Sequence, residues 1–264
     1  MRRILLFLSF LYLSVEILSA EEKQVGITWE KSKYWHSLKP ISFQVESFPD
    51  DIFLLIFPEW LTSREMSWHV RPTWKTDGGK ATAEWIAEGV AVKLKLEYFQ
   101  ECNASGLRWN YEVSNGSERD LSDVALFNCF NLVDASTFVD REMNRTWIRQ
   151  GEENTVQLST VKRTKASRTI QFYPAKGGLT LPEFERFMRY GATSTQELKG
   201  DRIAVDSKDG KWTVESIVDG QVAYFFNNWE PTHGCIHAAP LLGDIQTGKS
   251  AQSHGTLVFK HRKH

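Results

Sequence analysis

The sequence predicts an all-β protein, a large antiparallel β-sandwich with one short helix. Apolar and polar residues alternate with period two over 90–98, as expected for half-buried strands. The alternation returns over 107–113 and ends in the turn-forming cluster Ser114-Asn115-Gly116-Ser117. Only one segment of the chain has helical spacing. These three observations favour strands joined by tight turns.

The remaining strands follow from short apolar runs bounded by turn residues. Before the alternating region we predict strands at 26–29, 41–45 and 52–57, separated at Pro40 and Pro49-Asp50-Asp51. After it we predict strands at 124–132, 202–205, 212–218, 222–226 and 256–259. The residues 206–210 between two of them have the composition of a hairpin turn.

The short helix is predicted at 180–191. Thr180 and Glu183 have the spacing of a capping box, and Pro182 suits the first turn. Apolar side chains follow at helical intervals, and Gly191 is placed to end the segment.

The N-terminus has the pattern of an export signal. Arg2 and Arg3 precede an apolar run over 4–15, which is too short to span a bilayer, and Ala20 suits signal peptidase. We therefore predict a signal peptide over 1–20 and a single mature domain over 21–264, secreted or periplasmic, with no stable membrane insertion. The formal charge of −1 gives no reason to expect nucleic acid as a partner.

Cysteine and tryptophan use bears on function. The three cysteines, Cys102, Cys129 and Cys235, are an odd number for an exported protein, so a disulfide framework is not the main source of stability. A bridge between Cys129 and Cys235 would leave Cys102 free. The ten tryptophans suit either a sandwich core or the platforms on which sugar rings stack.

The segment His233-Gly234-Cys235-Ile236-His237 gathers two imidazoles and a thiol. Zinc and copper prefer these donors, and in an extended segment alternate residues point the same way. His233, Cys235 and His237 are therefore candidate metal ligands. The alternative is a packed thiol with hydrogen-bonded imidazoles.

Common catalytic motifs are absent from the sequence. It contains no G-x-S-x-G elbow and no H-E-x-x-H helix. This argues against serine hydrolases and zincins. We predict no cofactor, and sugar chemistry stays open.

Two stretches carry a resemblance to a known family. The segment 107–117 with Cys129-Phe130-Asn131-Leu132, and the segment from Cys235 to the final strand, resemble galactose mutarotase-like (aldose 1-epimerase-like) proteins. The resemblance implies a β-supersandwich and places His237 where the family has its general base. The position of the family's acid histidine falls in Leu126-Phe127-Asn128, where this chain has none.

The sequence also resembles a group of secreted bacterial proteins with a C-terminal Cys-x-His-x-x-Pro segment. Together these resemblances predict a carbohydrate-associated protein, a saccharide binder or a diverged epimerase, and leave open whether it is an enzyme. We expect His237 as the candidate catalytic residue and Trp229 as a stacking platform, with polar contacts from Asn131, Asp140, Arg141 and His233. The alternatives are a transition-metal or redox protein using Cys129, Cys235, His233 and His237, or a structural envelope protein.

Overall fold

Two nine-stranded sheets make up the fold. A computed structural model describes residues 26–32, 36–150, 154–165, 170–175, 177, 191–229 and 233–262. The predicted signal peptide and residues 180–190 of the predicted helix lie outside the described residues. The described part of the chain contains two 3-10 helices, His36–Leu38 and Leu158–Thr160, and no α-helix. None of its helices has the length and apolar character needed to cross a bilayer.

The first sheet, sheet A, follows the order β1-β2-β3-β9-β17-β16-β12-β13, with β4 paired to the end of β3. Its strands are β1 (Ile27–Lys31), β2 (Ile41–Val45), β3 (Phe48–Thr62), β4 (Ser67–His69), β9 (Leu121–Asn131), β12 (Ile170–Pro174), β13 (Ala192–Thr193), β16 (Val222–Asn228) and β17 (Cys235–Ile245). All its ladders are antiparallel except the short parallel pair of β12 and β13.

The second sheet, sheet B, follows the order β11-β10-β14-β15-β18-β8-β7-β6-β5 and is antiparallel throughout. Its strands are β5 (Thr73–Asp77), β6 (Lys80–Ala87), β7 (Val90–Glu101), β8 (Ala104–Asn115), β10 (Thr146–Gln150), β11 (Asn154–Gln157), β14 (Arg202–Asp206), β15 (Trp212–Val218) and β18 (Lys249–His261). The predicted all-β antiparallel sandwich is confirmed.

The main core lies between the two sheets. Phe53 of sheet A and Phe259 of sheet B pack with ring centroids 4.8 Å apart, and both side chains are fully buried. Burial of such rings stabilises the sandwich by about 2 to 3 kcal/mol per side chain. Because strand side chains alternate, every second residue points away from this core. Each sheet therefore has an outer face, the side turned away from the other sheet.

Candidate functional site

The outer face of sheet A carries the candidate site. On β17, Ile236 and Ala238 belong to the main core, whereas Cys235 and Ala239 belong to two smaller clusters. All members of these smaller clusters come from sheet A or the segments beside it. Cys235 and His237 therefore project from the same face, as alternation along an extended strand requires.

Two thiols meet at the centre of this face. Cys129 on β9 and Cys235 on β17 place their sulfur atoms 2.6 Å apart. The strand register accounts for the meeting, since Cys235 is paired with Asn131 two residues from Cys129. Apolar groups of Leu38 and Ile56 surround the sulfurs. Burial raises the pKa of both thiols, so both are protonated at neutral pH.

The His237 imidazole is the third member of the group. It is fully buried and packs against the rings of Phe127 and Phe226, with centroid distances of 4.3 and 4.6 Å. Neither Nδ1 nor Nε2 has a hydrogen-bond partner among the described residues. Burial lowers the pKa of His237 well below its ordinary value, and the charge of His233 lowers it further. The ring is therefore neutral at pH 7.

One donor atom from each of these three residues lies within 4.8 Å of the others. We call Cys129, Cys235 and His237 the thiol–imidazole centre. Most buried polar groups in proteins have a partner, so an imidazole without one needs an explanation. The donor set fits a soft or borderline metal ion in ligand type.

Glu59 is a neighbour of this centre that sequence reasoning missed. It lies in an irregular part of β3, where the pairing with β9 shifts between Ile56 and Trp60. Desolvation raises the pKa of Glu59 to about 7, and its charge raises the pKa of both cysteines. An acid inside the apolar stretch 52–61 is the signal that could have identified it.

The residues predicted to contact a saccharide have mostly internal roles. Trp229 is 3% exposed and its ring packs in the main core. Asn131 is fully buried, and its Oδ1 accepts from the backbone N–H groups of Val133 and Gly234 at 2.9 and 3.0 Å. His233 is partly exposed just before β17. Trp229 and Asn131 therefore offer no exposed surface to a sugar ring.

The predicted pair Asp140 and Arg141 does reach the C-terminal segment. Arg141 donates to the backbone oxygen of Trp229 at 3.2 Å, which joins the two loops. Asp140 is buried and accepts at 2.8 Å from both the Arg145 backbone N–H and the Thr146 hydroxyl. Arg141 is exposed. These contacts hold the loop together.

The outer face of sheet B carries a different cluster, which we call the carboxylate network. It is built on two buried carboxylates, Asp206 of β14 and Glu215 of β15. Asp206 accepts from Thr213 at 2.6 Å, from Trp147 and Arg262 at 2.9 Å each, and from Arg149 at 3.3 Å. Glu215 accepts from Lys260 at 2.7 Å, Arg202 at 3.3 Å and Arg149 at 3.4 Å. Both carboxylates are thus fully partnered within the protein.

No family model matches the chain, and no curated protein matches it. Solved structures similar to it include the Slr1438 protein of Synechocystis sp. PCC 6803, at 10% identity and a TM-score of 0.43, covering 91% of this chain and 93% of the other. A galactose mutarotase-like protein of Clostridium acetobutylicum is 10% identical, with a TM-score of 0.42 and coverage of 90% and 99%.

A galactose mutarotase-like protein of Lactobacillus casei ATCC 334 is 11% identical, with a TM-score of 0.39 and coverage of 90% and 100%. At such low similarity neither residue roles nor an activity transfer between proteins. The sandwich architecture rests on the chain's own two sheets, and the chemistry of the site on its own side chains.

Proposed function

We propose that this protein binds one transition-metal ion through Cys129, Cys235 and His237. The observation that carries the proposal is the thiol–imidazole centre itself. Its donor atoms lie within 4.8 Å of one another, and its imidazole has no hydrogen-bond partner in the part of the chain that the structure describes. Zinc and copper are the metals that thiolate and imidazole ligands prefer.

Charge and burial support this assignment. A buried imidazole without a hydrogen bond is unfavourable, and coordination to an ion would satisfy one of its nitrogens. Ligation deprotonates both thiols, and two thiolates neutralise a divalent ion. The resulting neutral unit suits the apolar surroundings of Ile56, Phe127 and Phe226.

His233 is the candidate for a further ligand. It was predicted as a ligand together with Cys235 and His237, and its charge acts on His237. It lies outside the group of three whose donor atoms meet within 4.8 Å. We therefore assign the primary ligand set to Cys129, Cys235 and His237, with His233 on the partly exposed side.

Metal analysis tests the proposal. The full chain, purified without a histidine tag and reduced under anaerobic conditions, is expected to retain one zinc or copper ion per molecule after dialysis. Cys129→Ser, Cys235→Ser and His237→Ala should each abolish stoichiometric binding. Cys102→Ser is the matched control, because Cys102 is exposed in the turn between β7 and β8 and should leave binding unchanged.

Two results would overturn the metal proposal. One is reduced wild-type protein that binds neither zinc nor copper above background. The other is a Cys235→Ser variant that keeps the wild-type metal content.

Carbohydrate association and export remain predictions from the sequence. Trp229 is buried, so a sugar ring cannot stack on it without rearrangement of the core. Calorimetry with a panel of monosaccharides and oligosaccharides tests binding directly. A saturable response that Arg141→Ala weakens would restore the saccharide hypothesis.

A further inference from the structure

The two sulfurs of the thiol–imidazole centre lie closer together than two ligands of one ion. Two zinc–sulfur bonds of about 2.3 Å at a tetrahedral angle hold their sulfurs about 3.8 Å apart. Cys129 Sγ and Cys235 Sγ are 2.6 Å apart, nearer to the length of about 2.05 Å found in a disulfide. The pair is thus placed to form a disulfide with little movement, and ligation of one ion requires the two sulfurs to move apart by about 1 Å.

We infer that Cys129 and Cys235 form a redox switch that controls metal occupancy at this centre. The reduced pair holds the ion with His237, and the oxidised pair forms a disulfide and releases it. The inference rests on the proposed metal-binding function. It adds a regulation of that site that metal binding by itself does not require.

The strands make the switch local. Cys129 and Cys235 lie on neighbouring strands with a fixed register, so bond formation needs only side-chain movement. A disulfide sulfur carries no thiolate charge and ligates poorly. Oxidation therefore removes two of the three ligands and leaves His237 alone, which is too few for a stable transition-metal site.

The oxidant we assign is a peroxide, which is small and uncharged and suits a buried site. One thiolate attacks a peroxide oxygen, the O–O bond breaks, and a sulfenic acid and hydroxide form. The second thiolate attacks the sulfenic sulfur, the S–S bond forms, and hydroxide leaves. Two protons from solvent convert the two hydroxides to water. The two sulfurs lose two electrons in total, the peroxide gains them, and the ion departs unchanged.

The test uses the full chain with Cys102→Ser, which removes the exposed thiol that would otherwise react. The reduced protein is loaded with one equivalent of zinc, which has no redox chemistry of its own, and then treated with one equivalent of hydrogen peroxide. Free zinc is followed with a colorimetric chelator, and peptide mapping identifies the oxidised residues. We expect release of one zinc, a Cys129–Cys235 linkage and full rebinding after dithiothreitol.

Each alternative outcome is decisive. Reduced protein that binds no zinc or copper overturns both the metal site and the switch. Zinc that binds but stays bound after the linkage forms overturns the switch alone, as does oxidation to sulfinic acid without a linkage. A Cys102→Ser/Cys129→Ser variant with an unchanged circular dichroism spectrum is the control, and it should form no internal linkage.

Discussion

The buried carboxylates on the outer face of sheet B and the buried imidazole on the outer face of sheet A differ in their hydrogen bonding. On sheet B, Asp206 and Glu215 are 5% and 4% exposed, and each accepts at least three hydrogen bonds from side chains. On sheet A, His237 is fully buried, and neither of its nitrogens has a hydrogen bond to any described residue.

This difference in hydrogen bonding distinguishes a cluster that stabilises the fold from a cluster that can bind a ligand. A buried group that is fully partnered within the chain stabilises the fold, whereas one left unpartnered costs stability. Where such a group lies beside two thiols, a bound ion would offset that cost. We therefore assign the carboxylate network to stability and the thiol–imidazole centre to binding. The two assignments predict mutational effects of opposite sign.

The largest effect is expected in the carboxylate network. Asp206→Asn removes the charge that pairs with Arg149 and Arg262. It also places an amide NH2, itself a donor, against side chains that donate hydrogen bonds. Breaking a buried ion pair from one side costs about 3 kcal/mol or more. Urea unfolding at pH 7 should show that loss in the free energy of unfolding. A loss below 1 kcal/mol would show that this network does not stabilise the fold.

A change of opposite sign is expected at the thiol–imidazole centre. His237→Leu replaces an unpartnered imidazole with an apolar side chain of similar size. In metal-free protein it should raise the free energy of unfolding by about 1 to 2 kcal/mol and abolish metal binding. The difference in the free energy of unfolding between variant and wild type should widen as the pH falls below 6.5. The imidazole of residue 237 is then protonated in unfolded wild-type protein but stays neutral in the folded protein, which destabilises wild type only. Destabilisation of the metal-free variant at pH 7 would contradict this interpretation.

Glu59 should give an intermediate, pH-dependent effect. Its pKa of about 7 in the folded protein lies above the ordinary value of 4.5, so the folded state binds the proton more tightly. The stability from this group is complete below pH 4.5 and is lost as the pH rises to 7. Glu59 is partly exposed, so we expect Glu59→Gln to gain about 1 to 2 kcal/mol over wild type at pH 8.

The pH series provides its own control for Glu59→Gln. Below pH 4.5 the free energy of unfolding should change with pH equally in wild type and variant, because the carboxyl of Glu59 is then protonated in both the folded and the unfolded state. Chemical denaturation at intervals from pH 4 to pH 8 measures this. If the free energies of unfolding of wild type and variant differed by a constant amount from pH 4 to pH 8, the carboxyl of Glu59 would not be desolvated.

The smallest effect is expected for an exposed ion pair on sheet B. Glu97 and Lys80 approach to 3.5 Å, with side chains 59% and 68% exposed. Exposed pairs contribute about 0 to 1 kcal/mol, and salt screens them. Glu97→Gln should therefore change the free energy of unfolding by less than about 0.5 kcal/mol, which makes it the matched control for Asp206→Asn. An effect as large as that of Asp206→Asn would show that burial does not distinguish the two acids.

Strand prediction succeeded where the local pattern was strong. The alternation over 90–98 and 107–113 corresponds to β7 and β8, and the predicted strand at 124–132 corresponds to β9. The ends differ by up to three residues, because hairpin pairing extends strands into residues with no apolar pattern. The predicted strand at 52–57 is the middle of the longer β3, which continues past Pro58 through an irregular pairing.

The metal alternative drawn from the sequence named Cys129, Cys235 and His237. Their meeting in space was not predictable from the sequence. His233, Cys235 and His237 were adjacent in the sequence, so their chemistry was visible there. Cys129 and Glu59 join them only because β3 and β17 both pair with β9. Trp229 had the residue type of a sugar platform, but the fold buries its ring. Burial depends on contacts distant in sequence, which a local pattern does not record.

Strand periodicity and donor chemistry are local properties, so the sequence alone predicts an all-β sandwich and a C-terminal segment of thiol and imidazole donors. Three features depend on the tertiary structure: Cys129 meets Cys235, His237 has no hydrogen bond within the described part of the chain, and Asp206 and Glu215 are fully partnered. The physical reason is strand register. It brings together residues 106 positions apart, and it fixes which polar groups are satisfied by the chain and which are left for a ligand.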